Sequence, residues 1–144
     1  MIRRLLGSLS CLYFLATPLR AQTYEPGLLV QANGDTLRGE IENSFWTEPP
    51  TFIHYRPTAT SPSQLFQPRQ LRALSFTGGR SFRYVIVPID HAAETRLDRL
   101  PRGNYFEVRT DSLLAEVLLE GPAELLRVTR PGATHYLLRR PSQP

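Results

Sequence analysis

The chain of 144 residues contains no lysine, one cysteine, one methionine, one tryptophan and three histidines. The cysteine is Cys11, so from residue 12 onward disulfides and cysteine-ligated metal sites are excluded. His54, His91 and His135 are scattered and show none of the helix or loop spacings of known metal sites. No uncharged apolar run approaches the ~20 residues that span a bilayer. No G-x-S-x-G elbow, P-loop, G-x-G-x-x-G or H-E-x-x-H occurs, which removes the sequence signatures of serine hydrolases, nucleotide binders and zinc peptidases. All 17 basic residues are arginine. Guanidinium suits bidentate contacts to carboxylate or phosphate, but uniform arginine usage is more simply the mark of coding bias in a G+C-rich genome.

What the N-terminus does contain is ordered. Arg3 and Arg4 precede an uncharged apolar run from Leu5 to Ala16, and Thr17 to Ala21 forms a short exit ending in a small residue. This is the pattern of a secretory signal peptide, with cleavage expected after Ala21. Lipidation at Cys11 fits poorly, because Ser8-Leu9-Ser10 places leucine one position late and the apolar run continues past the cysteine. Residues 22–144 are then a single exported domain, with a periplasmic, outer-membrane-associated or extracellular location. The net charge of +4 includes Arg3, Arg4 and Arg20, and its loss leaves 14 arginines against 13 acids. Such a balance offers no basic face for nucleic acid. The domain is long enough to bury roughly two-thirds of its unfolded surface around one core.

The body reads as mainly β. Asn33-Gly34-Asp35 is a turn between Leu28–Ala32 and Thr36–Glu42. In the second run Leu37, Gly39 and Ile41 alternate with Arg38, Glu40 and Glu42, as in a half-buried strand. Further strands are expected at 51–56, 72–76 and 81–87, the last ended by Pro88, with a hairpin turn at Thr77-Gly78-Gly79-Arg80. Residues 57–68 read as a Pro/Ser/Thr-rich loop, and Pro68 is placed to open one helical turn. A loop with a short helix is expected within 89–103, and a strand at 105–109. Leu113, Leu114, Val117 and Leu118 form an apolar stripe at helical spacing before Gly121-Pro122, which predicts a helix at 112–120, with a strand as the alternative for so short a run. A hairpin around Pro131-Gly132 closes the chain. The expected fold is an antiparallel sheet forming a sandwich or partly open barrel, with one short packed helix.

Candidate chemistry is sparse. Glu40 and Glu42 share a strand face, where paired acids are usually solvated. A zinc site would need the sheet to bring His54 and His135 together with Asp90 or His91. Gly78-Gly79 lacks the flanks of a phosphate loop. Phe45 and Trp46 lie between strands; an exposed aromatic there would stack on a sugar or peptide, whereas a buried one would plug the end of the sheet. Phe52, Phe82, Tyr84, Tyr105 and Phe106 read as strand or core positions. No catalytic, metal or cofactor residue is assigned, and no cofactor is expected.

Gly34, Asp35, Thr36, Leu37 and Gly39, flanked by Gly27, Leu28 and Ile41, resemble the G-D-T-[IL]-x-G opening of a group of secreted proteins and N-terminal domains from Bacteroidetes-type bacteria. Pro68, Leu71, Leu74, Phe76 and Gly78, and later Leu114, Val117, Leu118, Gly121 and Leu125, resemble its subsequent segments, although Pro122 and the lack of lysine depart from it. Some members continue into an outer-membrane β-barrel, and none has an established activity. The resemblance therefore implies architecture and location, and no chemistry. The expectation is an exported envelope module with a non-catalytic binding or structural role, its partner an envelope protein, glycan, peptide or lipid. The alternative is a small hydrolase or metal-dependent enzyme whose site assembles only in the fold.

Overall fold

The computed structural model describes residues 23–100, 102–103 and 105–140. The expected signal peptide and Cys11 lie outside the described residues. Nine strands run in chain order: β1 Tyr24–Gln31, β2 Thr36–Glu42, β3 Ile53–Arg56, β4 Gln64–Phe66, β5 Leu71–Phe76, β6 Ser81–Asp90, β7 Val108–Leu119, β8 Glu124–Arg130 and β9 Ala133–Arg139. They form one antiparallel sheet in the order β4-β3-β2-β1-β5-β6-β7-β8-β9. The sheet is not closed, and β4 and β9 are its edges. The only helical pieces among the described residues are single 3-10 turns at Pro68–Gln70 and Leu97–Arg99.

Two cores lie on opposite faces of this one sheet. The cross-strand register places Leu29, Leu74 and Phe82 in a row on one face, and this face carries a cluster that also includes Ile41, Ile53, Tyr55, Phe76 and Leu114. The other face carries Val85, Ile89, Leu113, Ala115, Leu126 and Val128, all from β6 to β8. The 3-10 turn Pro68–Gln70 packs against β7, and Trp46 from the 43–52 connection packs against the first cluster.

The helix expected at 112–120 is a strand. In β7, Leu113 and Ala115 face one core and Leu114 faces the other, so three successive residues are buried. A strand covered on both faces loses its period-two alternation and reads as a continuous apolar run. Two further differences have similar local causes. Strand β6 continues through Pro88 to Asp90; its pairing with β5 ends at Arg83 while that with β7 continues to Asp90, so Pro88 lies where one side of β6 is already an edge. Strand β4, only Gln64–Phe66, lies inside the expected 57–68 loop and pairs with β3.

The paired glycines of β1 and β2 explain the motif that opens the domain. Gly27 and Gly39 are cross-strand partners. A Cβ at Gly39 would stand 2.5 Å from the Arg56 carbonyl oxygen and 2.7 Å from the Tyr55 ring; one at Gly27 would stand 2.6 Å from Ile41 Cδ1. The missing side chains leave a flat patch on which Tyr55 and Ile41 lie, and the Tyr55 hydroxyl donates to the Arg38 carbonyl at 2.9 Å.

Candidate functional site

The residues singled out for chemistry separate into three places. Glu40 is held by Arg56 at 2.6 Å, and the Arg56 guanidinium lies 3.9 Å from the centre of the Tyr24 ring. Glu42 instead meets Ser44 Oγ at 3.1 Å and His54 Nε2 at 3.9 Å. The two glutamates thus serve different partners.

At the far end of β6, Asp90 lies within reach of the charges of both His91 and His135. His91 Nε2 lies 3.1 Å from Asp111, which also accepts from Arg130. Burial pushes the Asp111 carboxyl up, but the His91 and Arg130 contacts outweigh it and hold it below the ordinary value. Asp90 Oδ1 accepts the backbone N–H groups of Ala92 at 3.0 Å and Glu107 at 2.9 Å. Those two bonds hold its carboxyl low, assisted by the charges of His135 and His91. These contacts fasten the two ends of the 91–107 connection. His54 stands on the opposite side of the sheet order, in β3. Among the described residues no group of three or more His, Cys, Asp or Glu is placed to hold a metal ion.

The third place is the β2–β3 connection, residues 43–52. Trp46 plugs the end of the sheet, its ring centre 5.8 Å from Phe76 and 5.5 Å from Phe82. Arg80 Nη2 donates to the Trp46 carbonyl at 2.9 Å, while Arg80 Nε donates to Glu116, which Arg127 also binds. Burial raises the Glu116 carboxyl, and the two guanidiniums together more than reverse this, leaving it below the ordinary value.

With Trp46 fixed inward, Phe45 points out. Its side chain is 67% exposed and its backbone has φ +49°, a left-handed conformation uncommon for a bulky residue. Asn43 maintains it. Buried to 5% exposure, Asn43 accepts the Phe45 N–H at 2.9 Å through Oδ1 and donates from Nδ2 to Glu25 at 2.9 Å. Phe52, 47% exposed, lies along the same open groove of about 530 Å³, with Pro49, Glu42, Glu48 and His54. The aromatic expectation at 45–46 is thus divided: tryptophan is the plug, and phenylalanine is the displayed ring. The buried Asn43, two residues before Phe45, is a signal that sequence reasoning passed over.

A second exposed aromatic group was also missed. Tyr105 and Phe106, expected in a strand, lie before β7 and are 68% and 77% exposed. Among the described residues no helix is long and apolar enough to cross a membrane. No protein-family model matches the chain, and neither a curated protein nor a solved structure is similar to it.

Proposed function

We propose that the chain is an exported cell-envelope module that binds a peptide segment of another envelope protein in the groove beside Phe45. The observation that carries this reading is Phe45 itself. A bulky apolar side chain is held in solvent by a left-handed backbone and a buried asparagine, a costly arrangement that packing of this domain does not use. Phe45, Phe52 and Pro49 supply apolar contact, and Glu42 and Glu48 supply negative charge, so the groove favours an extended segment with apolar and basic side chains. The leader-like residues 1–21 support export, and the resemblance to barrel-attached secreted domains supports the envelope.

The test is fluorescence polarisation of the domain, residues 22–144, against a peptide array and a neutral glycan array. Binding of apolar–basic peptides, weakened at least tenfold by Phe45→Ala, is expected. Selective glycan binding would replace the ligand class. Equal binding by wild type and Phe45→Ala would remove the groove as the site.

A further inference from the structure

The connection between β6 and β7 presents a second exposed apolar surface, at the opposite end of the sheet from Phe45. Glu42, Ser81 and the 77–80 turn share one end, because Tyr24 pairs with Glu42 and Gly27 with Phe76. Asp90 and Val108 pair at the other end. A ten-residue β6 separates the two by roughly 30 Å.

The base of this connection is built rigidly. Asp90 ties Ala92 and Glu107 together, the His91 N–H donates to the Glu107 carbonyl at 2.9 Å, and Thr95 donates twice to the Gly132 carbonyl in the β8–β9 turn. Beyond that base the polarity is inverted. Leu97 is 88% exposed, Phe106 77%, Tyr105 68% and Val108 61%. Neither core includes them. Among its described residues this long connection has only the single 3-10 turn Leu97–Arg99, and long connections of this kind are uncommon unless they have a role.

The charges around these side chains favour one partner. Arg96 pairs with Asp98 and Arg109 with Glu107, whereas Arg99 and Arg102 form no ion pair among the described residues. Arg99 also lines a groove of about 340 Å³ with His91, Glu94 and Tyr105. Leucine and aromatic side chains beside unpaired guanidiniums match the boundary of an anionic bilayer, where rings enter the headgroup region and cations meet phosphate.

We propose that Leu97, Arg99, Arg102, Tyr105 and Phe106 dock the domain onto an anionic phospholipid surface, with Leu97, Tyr105 and Phe106 entering the interface and Arg99 and Arg102 meeting headgroup phosphates.

Flotation of the domain with phosphatidylglycerol–phosphatidylethanolamine vesicles, against phosphatidylcholine vesicles, tests this. Wild type should float with the anionic vesicles and release as salt rises. Arg99→Gln with Arg102→Gln should weaken anionic partitioning roughly fivefold per charge, some 25-fold for both. Leu97→Asp with Phe106→Asp should abolish it. All four positions are exposed, and an unchanged urea midpoint for each variant separates lost docking from lost folding. Phe106→Trp gives an independent reading: brominated acyl chains should quench the new tryptophan and spare Trp46 at the other end. Wild type that stays off anionic vesicles, variants that float like wild type, or equal quenching of both tryptophans would overturn the proposal. Cross-linking of this loop to an envelope protein without vesicle binding would overturn it as well.

Discussion

Gly39→Ala is the sharpest test of how the first half of the sheet is built. The added methyl would lie 2.5 Å from the Arg56 carbonyl oxygen, 2.7 Å from Tyr55 Cε2 and 2.9 Å from the Tyr55 hydroxyl. The first of these is backbone, so a side-chain rotation cannot relieve it. Strand β3 must shift, yet it is joined to β2 through only Glu40–Arg56 and Ile41–Tyr55. Overpacking of this kind costs about 1–3 kcal/mol. Displacing Tyr55 also breaks its hydrogen bond to the Arg38 carbonyl, adding about 1 kcal/mol. A total loss of about 2–4 kcal/mol follows. Urea unfolding followed by Trp46 fluorescence reads it directly, since the chain has one tryptophan. Gly78→Ala is the control: its nearest neighbour would be Glu25 Oε2 at 3.8 Å, and its φ is not positive, so it should be neutral or slightly stabilising. If Gly39→Ala and Gly78→Ala unfold at the same urea concentration, the close approach of Tyr55 and β3 to β2 is wrong.

The strand assignment of 108–119 predicts that Leu114→Ala costs about 2–5 kcal/mol while Leu118→Ala, at a side chain 40% exposed, costs under about 1 kcal/mol; equal losses in thermal unfolding would restore the helical stripe. Ala115 is fully buried, so Ala115→Leu should destabilise by about 1–3 kcal/mol, measured by the same unfolding. Asn43→Ala should lose about 1–3 kcal/mol by leaving the Phe45 N–H and Glu25 without their partner, and the Phe45 amide should gain hydrogen-exchange rate more than amides in β7. Glu116 has a lowered folded pKa, so its contribution is complete above the unfolded value of about 4.5 and declines as pH falls through the lower folded value. Glu116→Gln should therefore cost about 1–3 kcal/mol at neutral pH and much less in acid, with the two urea midpoints converging as pH drops.

Local pattern was enough wherever one face of a strand met water. Strand β2 runs from Thr36 to Glu42 as its alternation requires, and the turns at Asn33–Asp35, Gly78–Gly79 and Pro131–Gly132 lie where their residues put them. The 3-10 turn opening at Pro68 was equally legible. Legibility failed where a residue's environment depends on distant chain. Leu113 and Leu114 read as part of a helical stripe because β7 carries buried residues on both faces, Leu114 in one core and Leu113 and Ala115 in the other. Strand β4 has only Leu65 and Phe66 as apolar residues, and only its pairing with β3 makes it a strand. At the candidate site the aromatic pair was visible, but which ring is displayed was not: that choice rests on Arg80 reaching the Trp46 carbonyl and on Asn43 turning the backbone at Phe45.

An open sheet with a core on each face leaves its two ends free for separate work. The first core meets the Phe45 groove only through Trp46, neither core includes Leu97, Tyr105 or Phe106, and each end is fastened by its own hydrogen-bonded base, Asn43 with Glu25 at one and Asp90 with Glu107 at the other. Phe45 and Phe106 share no hydrogen-bond partner or groove among the described residues, so substitutions at the two should combine additively. That independence is what a tethered binding module needs. On the two proposals the lipid-facing surface can be altered without disturbing the peptide groove, and the pairs of Arg80 and Arg127 with Glu116 and of Arg139 with Glu124 brace the groove's end of the sheet alone.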